Sequence, residues 1–337
     1  MRARGITYET GFTRGTAKRE DPWDLATVAE DLRVIRDDLH CNAVRIVGGE
    51  LDRIDAAAHV AVDLGLEVWY SPYPIELTHD EILARFADGA ERAEKLRSRG
   101  GEIVFVTGAE LTLFNPGFLP GETFEDRVRP LVENPQSLAG HIGELTRRIN
   151  AFLGRAVGVV RERFGGKVTY AAVQLERVNW DPFDIVSIDL YRTPAIADQF
   201  VDGVRAYAAF DKPLAITEFG CATFRGAADR GAQGLDIVVN DPETAMPLHL
   251  DGVYERDEDG QAAVIRELLE IFDAEGVDST FVFAFALRDF PHRPTGDPRN
   301  DLDLASYGIT KLDESGDWQP KAAFSTIAQL YGGHPAR

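Results

Sequence analysis

Apolar positions along the chain keep two rhythms in turn. Short continuous runs bounded by Gly, Pro or polar clusters predict buried strands, and stripes at spacings of three and four predict helices with one face on a core. The runs are Gly5 to Tyr8, Ala43 to Val47, Leu66 to Tyr70 closed by Ser71-Pro72, Glu102 to Thr107, Lys167 to Gln174, Asp184 to Tyr191, Leu214 to Thr217 and Thr280 to Ala286. Between them, Leu25, Val28, Leu32, Ile35 and Leu39 form one stripe behind the Asp21-Pro22 loop. Ile54, Ala58 and Ala61 form a second, and Ile82, Leu83, Phe86, Ala90 and Ala93 a third, which Gly100-Gly101 ends as helix C-termini commonly end. A helix opening at Ser137 carries Leu138, Ile142, Leu145, Ile149, Phe152, Val157 and Val160. Further helices are predicted near Ile196 to Phe210, over Gln261 to Glu275 and from near Pro320. Too few residues separate the fifth run from the sixth for a full helix, so that crossover is abbreviated.

Eight strands in order, with helices between most of them, predict a (β/α)₈ TIM barrel. Irregular segments follow strands four, seven and eight: Leu111 to Pro135, Ala222 to Gly260 and Leu287 to Ala305. With 337 residues, 44% of them hydrophobic, the chain suits one barrel domain over residues 1–337, with 222–260 as a loop insertion able to serve as a lid.

Composition narrows the partners. A net charge of −20 repels phosphate backbones, which argues against nucleic acid. Cys41 and Cys221 are too few for a disulfide framework and have no zinc-like spacing. The seven histidines are scattered, and the acidic segment with Asp297, Asp301 and Asp303 has no ligand pattern, so neither metal nor cofactor is expected. The start, MRARGITYETG, reaches a strand without an apolar signal core, and no stretch approaches about 18 uninterrupted apolar residues. The expectation is a soluble cytoplasmic protein without a membrane partner.

The chemistry sits at strand ends. Strand four runs into Gly108-Ala109-Glu110, and KPLAITEFG closes strand seven on Glu218, with Gly220 turning the backbone away behind it. In one parallel barrel both carboxylates emerge on the C-terminal face, where such barrels keep their active sites. Two carboxylates in one pocket with different surroundings can divide the work, one as an ionised nucleophile and the other as acid and base. That is the machinery of glycosidic cleavage, in which a separation of about 5 Å means retention and one above about 6.5 Å means inversion. Arg45 in strand two and Tyr191 at the end of strand six can hydrogen-bond an ionised glutamate. Tyr8, Trp69, Tyr70 and Phe285 can offer ring faces to sugar C–H groups. Glu9, Glu50, Glu176, Asp189, Asp289 and His292 can also reach the rim, although surface charge accounts for most such residues.

In the order of these motifs the chain resembles the clan A retaining glycoside hydrolases, a superfamily of (β/α)₈ enzymes, over nearly its whole length. The resemblance implies Glu110 as acid/base and Glu218 as nucleophile. NAVRI is similar to the family's strand two, whose arginine, here Arg45, supports the nucleophile; SIDLY places Tyr191 at the strand-six aromatic position. DLASYGITK and DWQPKAAFSTIAQLY are similar to the closing portion of many such enzymes. Two departures stand out: Ala109 occupies the place of the usual Asn that contacts a sugar 2-hydroxyl, and FVFAFALRD offers Phe283 and Phe285 where a tryptophan commonly floors the site. The expected partner is a small-molecule or oligosaccharide glycoside, with a deoxy or modified sugar suggested by Ala109. Two other readings stand beside a retaining glycosidase or transglycosidase. One is a sugar-binding pseudoenzyme, which Ala109 favours; the other is a metabolite-modifying enzyme using the same carboxylates for cyclisation or elimination, which the Phe-rich loops suit.

Overall fold

Alternation along β2 (Ala43–Gly48) shows how the barrel is built. Ala43 and Val47 belong to an inner apolar cluster, Val44 and Ile46 to an outer one beneath the helices, and Arg45 therefore points inward. In β3 (Glu67–Pro72), Val68 and Tyr70 face the helices while Trp69 fills the interior. Burial on both faces explains why these strands read as continuous apolar runs. The computed structural model describes residues 1–15, 23–133, 140, 142–241, 244 and 246–333.

The other barrel strands are β1 (Ala3–Glu9), β4 (Ile103–Ala109), β5 (Lys167–Ala171), β6 (Val186–Asp189), β7 (Leu214–Phe219) and β10 (Ser279–Val282). They form one parallel sheet of eight strands in the order β5-β4-β3-β2-β1-β10-β7-β6. Its two ends meet through a single bridge, Ala172 to Ile188, and through the Thr169 hydroxyl, which donates to the Ile185 carbonyl at 2.9 Å. The result is a nearly closed (β/α)₈ barrel. As expected, the β5 to β6 crossover is abbreviated, holding only a 3₁₀ turn over Gln174–Glu176.

Around the sheet lie α1 (Leu25–Asp37), α2 (Leu51–Asp63), α3 (His79–Ser98), α6 (Ile142–Arg161), α7 (Phe200–Ala208), α8 (Glu258–Ala274) and α9 (Ala322–Gly332). Asp24 caps α1, and Thr78 with Glu81 forms a reciprocal cap on α3. The first stripe is trimmed: Leu25 is 45% exposed, and Leu39 is buried although it lies beyond the helix. The predicted start of α6 at Ser137 and Leu138, like the Asp21-Pro22 loop, lies outside the described residues.

Several expectations are corrected in detail. Strand three continues through Ser71 and Pro72, strand five stops at Ala171 and strand six covers only Val186–Asp189. The segment expected to be irregular after strand four holds α4 (Leu111–Phe114) and α5 (Phe124–Glu133). Residues 222–260 contain the hairpin β8 (Val238–Asn240) and β9 (Pro247–Leu250), and Ile237 and Leu250 are buried against Tyr307 and its neighbours. A second hairpin, β11 (Thr310–Leu312) and β12 (Trp318–Pro320), precedes α9. No helix among the described residues is long and apolar enough to cross a membrane.

Candidate active site

The strands bearing the two glutamates both break register near their C-terminal ends. On β4 the pairing with β5 shifts between Val106 and Ala109, and Gly108 in that shift has φ +85°. On β7 the pairing with β6 and β10 shifts around Thr217. A bulge changes which side chains face inward. On β7 it lets Glu218 join Thr217 at the interior while Phe219 returns to the outer cluster.

The two glutamates then sit on neighbouring rungs of the same rim. The Glu110 N–H donates to the Ala171 carbonyl at 2.9 Å, the Asp189 N–H to Ala172 at 2.9 Å, and the Leu190 N–H to the Glu218 carbonyl at 2.8 Å. This ladder runs from the end of β4 across β5 and β6 to the end of β7, so both carboxylates stand at the C-terminal mouth.

Their surroundings differ. Glu218 is 9% exposed, and its Oε1 accepts the Tyr191 hydroxyl at 2.7 Å. Arg45 Nη1 lies 3.6 Å from Glu218 Oε2, donates to the Thr217 carbonyl at 2.9 Å and stands 3.8 Å from Asp189 Oδ1. Burial and the charge of Asp189 push the Glu218 carboxyl up to about 7, against the pull of Arg45 and Tyr191. Glu110 takes part in no side-chain hydrogen bond or ion pair with described residues. Burial, then Asp189, Glu218 and Glu176, drive its proton affinity well above the usual carboxylate range. Burial also raises the Tyr191 phenol, followed by Glu218, so Tyr191 remains a donor.

Arg45, Tyr191, Glu110 and Glu218 thus converge, whereas three ring-bearing candidates do not. Tyr8 points outward, its hydroxyl donating to Asp31 of α1 at 2.8 Å and accepting from Arg288 at 3.0 Å. Alternation along β1 dictates this, since Thr7 and Glu9 take the inward positions. Trp69 faces inward but is sealed in the barrel, its ring 4.7 Å from Phe281 and its Nε1 donating to Glu67 at the N-terminal end of β3. Phe285 packs on Tyr8 and Trp318 in the outer layer, because the regular strand ends at Val282. Tyr70 also lies in the outer cluster. The half-buried Phe283, 6.0 Å from the Tyr307 ring, remains at the mouth.

Other residues at the site escaped the sequence. Tyr73, just past β3, contacts Phe12 and Phe114 edge-on at 5.0 and 5.4 Å. Burial raises its phenol, followed by the charges of Glu110, Glu218 and Asp189. Tyr307 packs against Tyr191 at 5.7 Å and anchors the insertion after β7 through Gly231 and Gly234. Asp189 and Glu176, read as rim charges, are buried. Ala109 is buried in the inner cluster and offers no polar atom to a ligand. Among the acidic loop residues, Asp301 and Asp303 are taken up by Arg256, His292 and Lys321.

No protein-family model and no curated protein matches this chain. Solved structures share its fold. A GH113 β-1,4-mannanase in a complex is similar with TM-score 0.60 at 15% identity, over 98% of this chain and 99% of the other. The GH113 β-mannanase AaManA from Alicyclobacillus acidocaldarius in complex with ManMIm gives 0.59 at 17% identity, over 98% and 97%. A family 1 β-glucosidase from Thermotoga maritima in complex with isofagomine lactam gives 0.50 at 14% identity, over 91% and 86%. The fold of this chain is the (β/α)₈ barrel that these solved structures share.

Proposed function

We propose that the protein is a retaining glycosidase or transglycosidase, with Glu218 as nucleophile and Glu110 as acid/base. The observation that carries this is the unequal treatment of two carboxylates on one rim. Glu218 has a cation and a phenol donor to stabilise its anion, while Glu110 has neither among the described residues and burial with its acidic neighbours drives its proton affinity well above the usual carboxylate range. Glu218 attacks the anomeric carbon as the glycosidic C–O bond breaks, and the leaving oxygen takes the proton of Glu110. Glu110, now a base, removes a proton from water or an acceptor alcohol, whose oxygen displaces Glu218 from the anomeric carbon. Arg45 and Tyr191 orient Glu218 and hold it as an anion.

The solved neighbours, mannanases and a glucosidase, support a hexose glycoside as substrate. Ala109 supports a sugar whose 2-position is deoxy or otherwise modified, because the wall beside Glu110 has no side-chain donor or acceptor there. Of the two phenylalanines at the end of strand eight, Phe283 is the one that packs toward Tyr307 and the site.

Incubation with a panel of 2-deoxy-2-fluoro glycosyl fluorides, followed by peptide mass spectrometry, tests the assignment. The expected result is one glycosyl adduct on Glu218 that is absent from Glu218→Gln. An adduct on another carboxylate, or none across the panel, overturns it in favour of a sugar-binding protein or different chemistry at the same pair. If ordinary aryl β-glucosides and β-mannosides are the best substrates, the modified-sugar refinement is wrong.

A further inference from the structure

A second buried carboxylate lies behind Glu110, and nothing in the mechanism above uses it. Glu176, in the 3₁₀ turn after β5, is fully buried. Its Oε1 accepts the Tyr170 hydroxyl at 2.7 Å, the Thr112 hydroxyl at 2.9 Å and the Thr112 N–H at 3.3 Å, and its Oε2 accepts the Val173 N–H at 3.2 Å. Tyr170 extends the reach of this group, because its hydroxyl also accepts the Leu111 N–H at 2.8 Å. Every partner is a donor, which suits the ionised, acceptor-only form of the carboxylate.

These bonds fall on the backbone immediately after Glu110. Glu110 itself has φ +46° and ψ +37°, left-handed values that a side-chain-bearing residue keeps only where its surroundings enforce them. The single turn α4 that follows is too short to hold itself. Its first two N–H groups, of Leu111 and Thr112, end on Tyr170 and Glu176.

We propose that Glu176 and Tyr170 are positioning residues for Glu110, clamping the turn of backbone directly behind it so that its carboxyl projects into the mouth. The proposal rests on the assignment of Glu110 as acid/base only for its catalytic meaning; the clamp itself is geometric. The charge of Glu176 adds to the effect. It is among the influences that raise the Glu110 carboxyl, with burial, Asp189 of β6 and Glu218 of β7, and against Arg45 of β2. Tyr170 of β5 and Thr112 of α4 face Glu176 in turn, and burial pushes Glu176 up to about 7 despite its donors.

Glutamate ¹³Cδ NMR on the full chain tests this without any substrate, the Glu110 resonance being the one lost in Glu110→Gln. In Glu176→Gln the Glu110 titration midpoint falls by about one pH unit. In Tyr170→Phe, which keeps the ring and removes only the bridging hydroxyl, it falls by less, and the Leu111 amide exchanges with solvent about tenfold faster. An unmoved Glu110 midpoint in a folded Glu176→Gln overturns the proposal. If that variant does not fold, an unmoved midpoint together with unchanged Leu111 exchange in Tyr170→Phe overturns it equally. Failure of every glycoside to react counts against the glycosidase reading alone, since neither readout needs turnover.

Discussion

The end of β4 and the end of β7 share a slipped register and differ in what surrounds the carboxyl. Each strand slips register shortly before its glutamate, and each glutamate lies on the ladder that crosses β5 and β6. Beyond that the two diverge. Glu218 stays within a regular strand and meets Arg45 and Tyr191 side on. Glu110 lies one residue past its strand, in a left-handed turn secured from behind by Tyr170 and Glu176, with no cation among the described residues ion-paired to its carboxyl. A common backbone device thus brings two chemically identical side chains to one mouth, and their neighbours alone support the proposed division into nucleophile and acid.

Leaving-group dependence exposes this difference most strongly. Glu218→Gln should reduce turnover of every glycoside by several orders of magnitude, since no group replaces the proposed nucleophile. Glu110→Gln should cut hydrolysis of an alkyl or p-nitrophenyl glycoside by roughly 10²–10⁴-fold. It should slow the first step far less with 2,4-dinitrophenyl, which departs without a proton. Pre-steady-state release of the phenol checks this. Equal losses on both leaving groups in Glu110→Gln would erase the distinction between the two ends.

The pH profile sharpens the same contrast. The proposed mechanism needs Glu218 ionised and Glu110 protonated; burial and Asp189 raise Glu218 to about 7, and burial, Asp189 and Glu218 raise Glu110 well above the usual carboxylate range. The profile of kcat/KM for the parent should therefore rise through an acid limb near pH 7 and fall along an alkaline limb above it, the two limbs belonging to the coupled pair. A flat profile from pH 4 upward breaks the ordering. Tyr191→Phe deletes the 2.7 Å bond that favours the Glu218 anion. It should move the acid limb to higher pH and lower kcat/KM by roughly 10–100-fold, as a charge-assisted hydrogen bond implies.

Legibility in the sequence follows the same division. The outer layer is periodic, so Val44, Ile46, Ile82, Phe86 and Ile149 showed their strands and helices directly. Glu110, Glu218, Arg45 and Tyr191 were legible because each ends or interrupts an apolar run. The direction of a ring is set by strand parity and bulges, which composition does not display. Counting inward from Arg45 would have turned Tyr8 away, because Thr7 pairs with Arg45. Phe285 depends on where β10 loses regularity, and no residue type marks that point. Glu176 was legible only as a rim charge, because its burial and its bonds to Thr112 join residues distant in the chain, and Tyr73 escaped altogether.

A last and smaller effect appears in stability. The folded-state pKa of Glu218, about 7, is above its ordinary value of 4.5, because burial and Asp189 oppose its charge. The folded protein therefore binds the proton more tightly than the unfolded chain. The stability this provides is fully present below pH 4.5 and is lost as pH rises through about 7. Glu218→Gln carries no such charge, while Arg45 keeps its bond to the Thr217 carbonyl and its approach to Asp189. Near pH 9 the variant should then be more stable than the parent by on the order of 1 kcal/mol, with the gap closing by pH 5. Urea unfolding midpoints at the two pH values measure it. A variant less stable than the parent at pH 9 would mean that Arg45 and Tyr191 outweigh burial, and that the β7 end stabilises the fold as well as the anion.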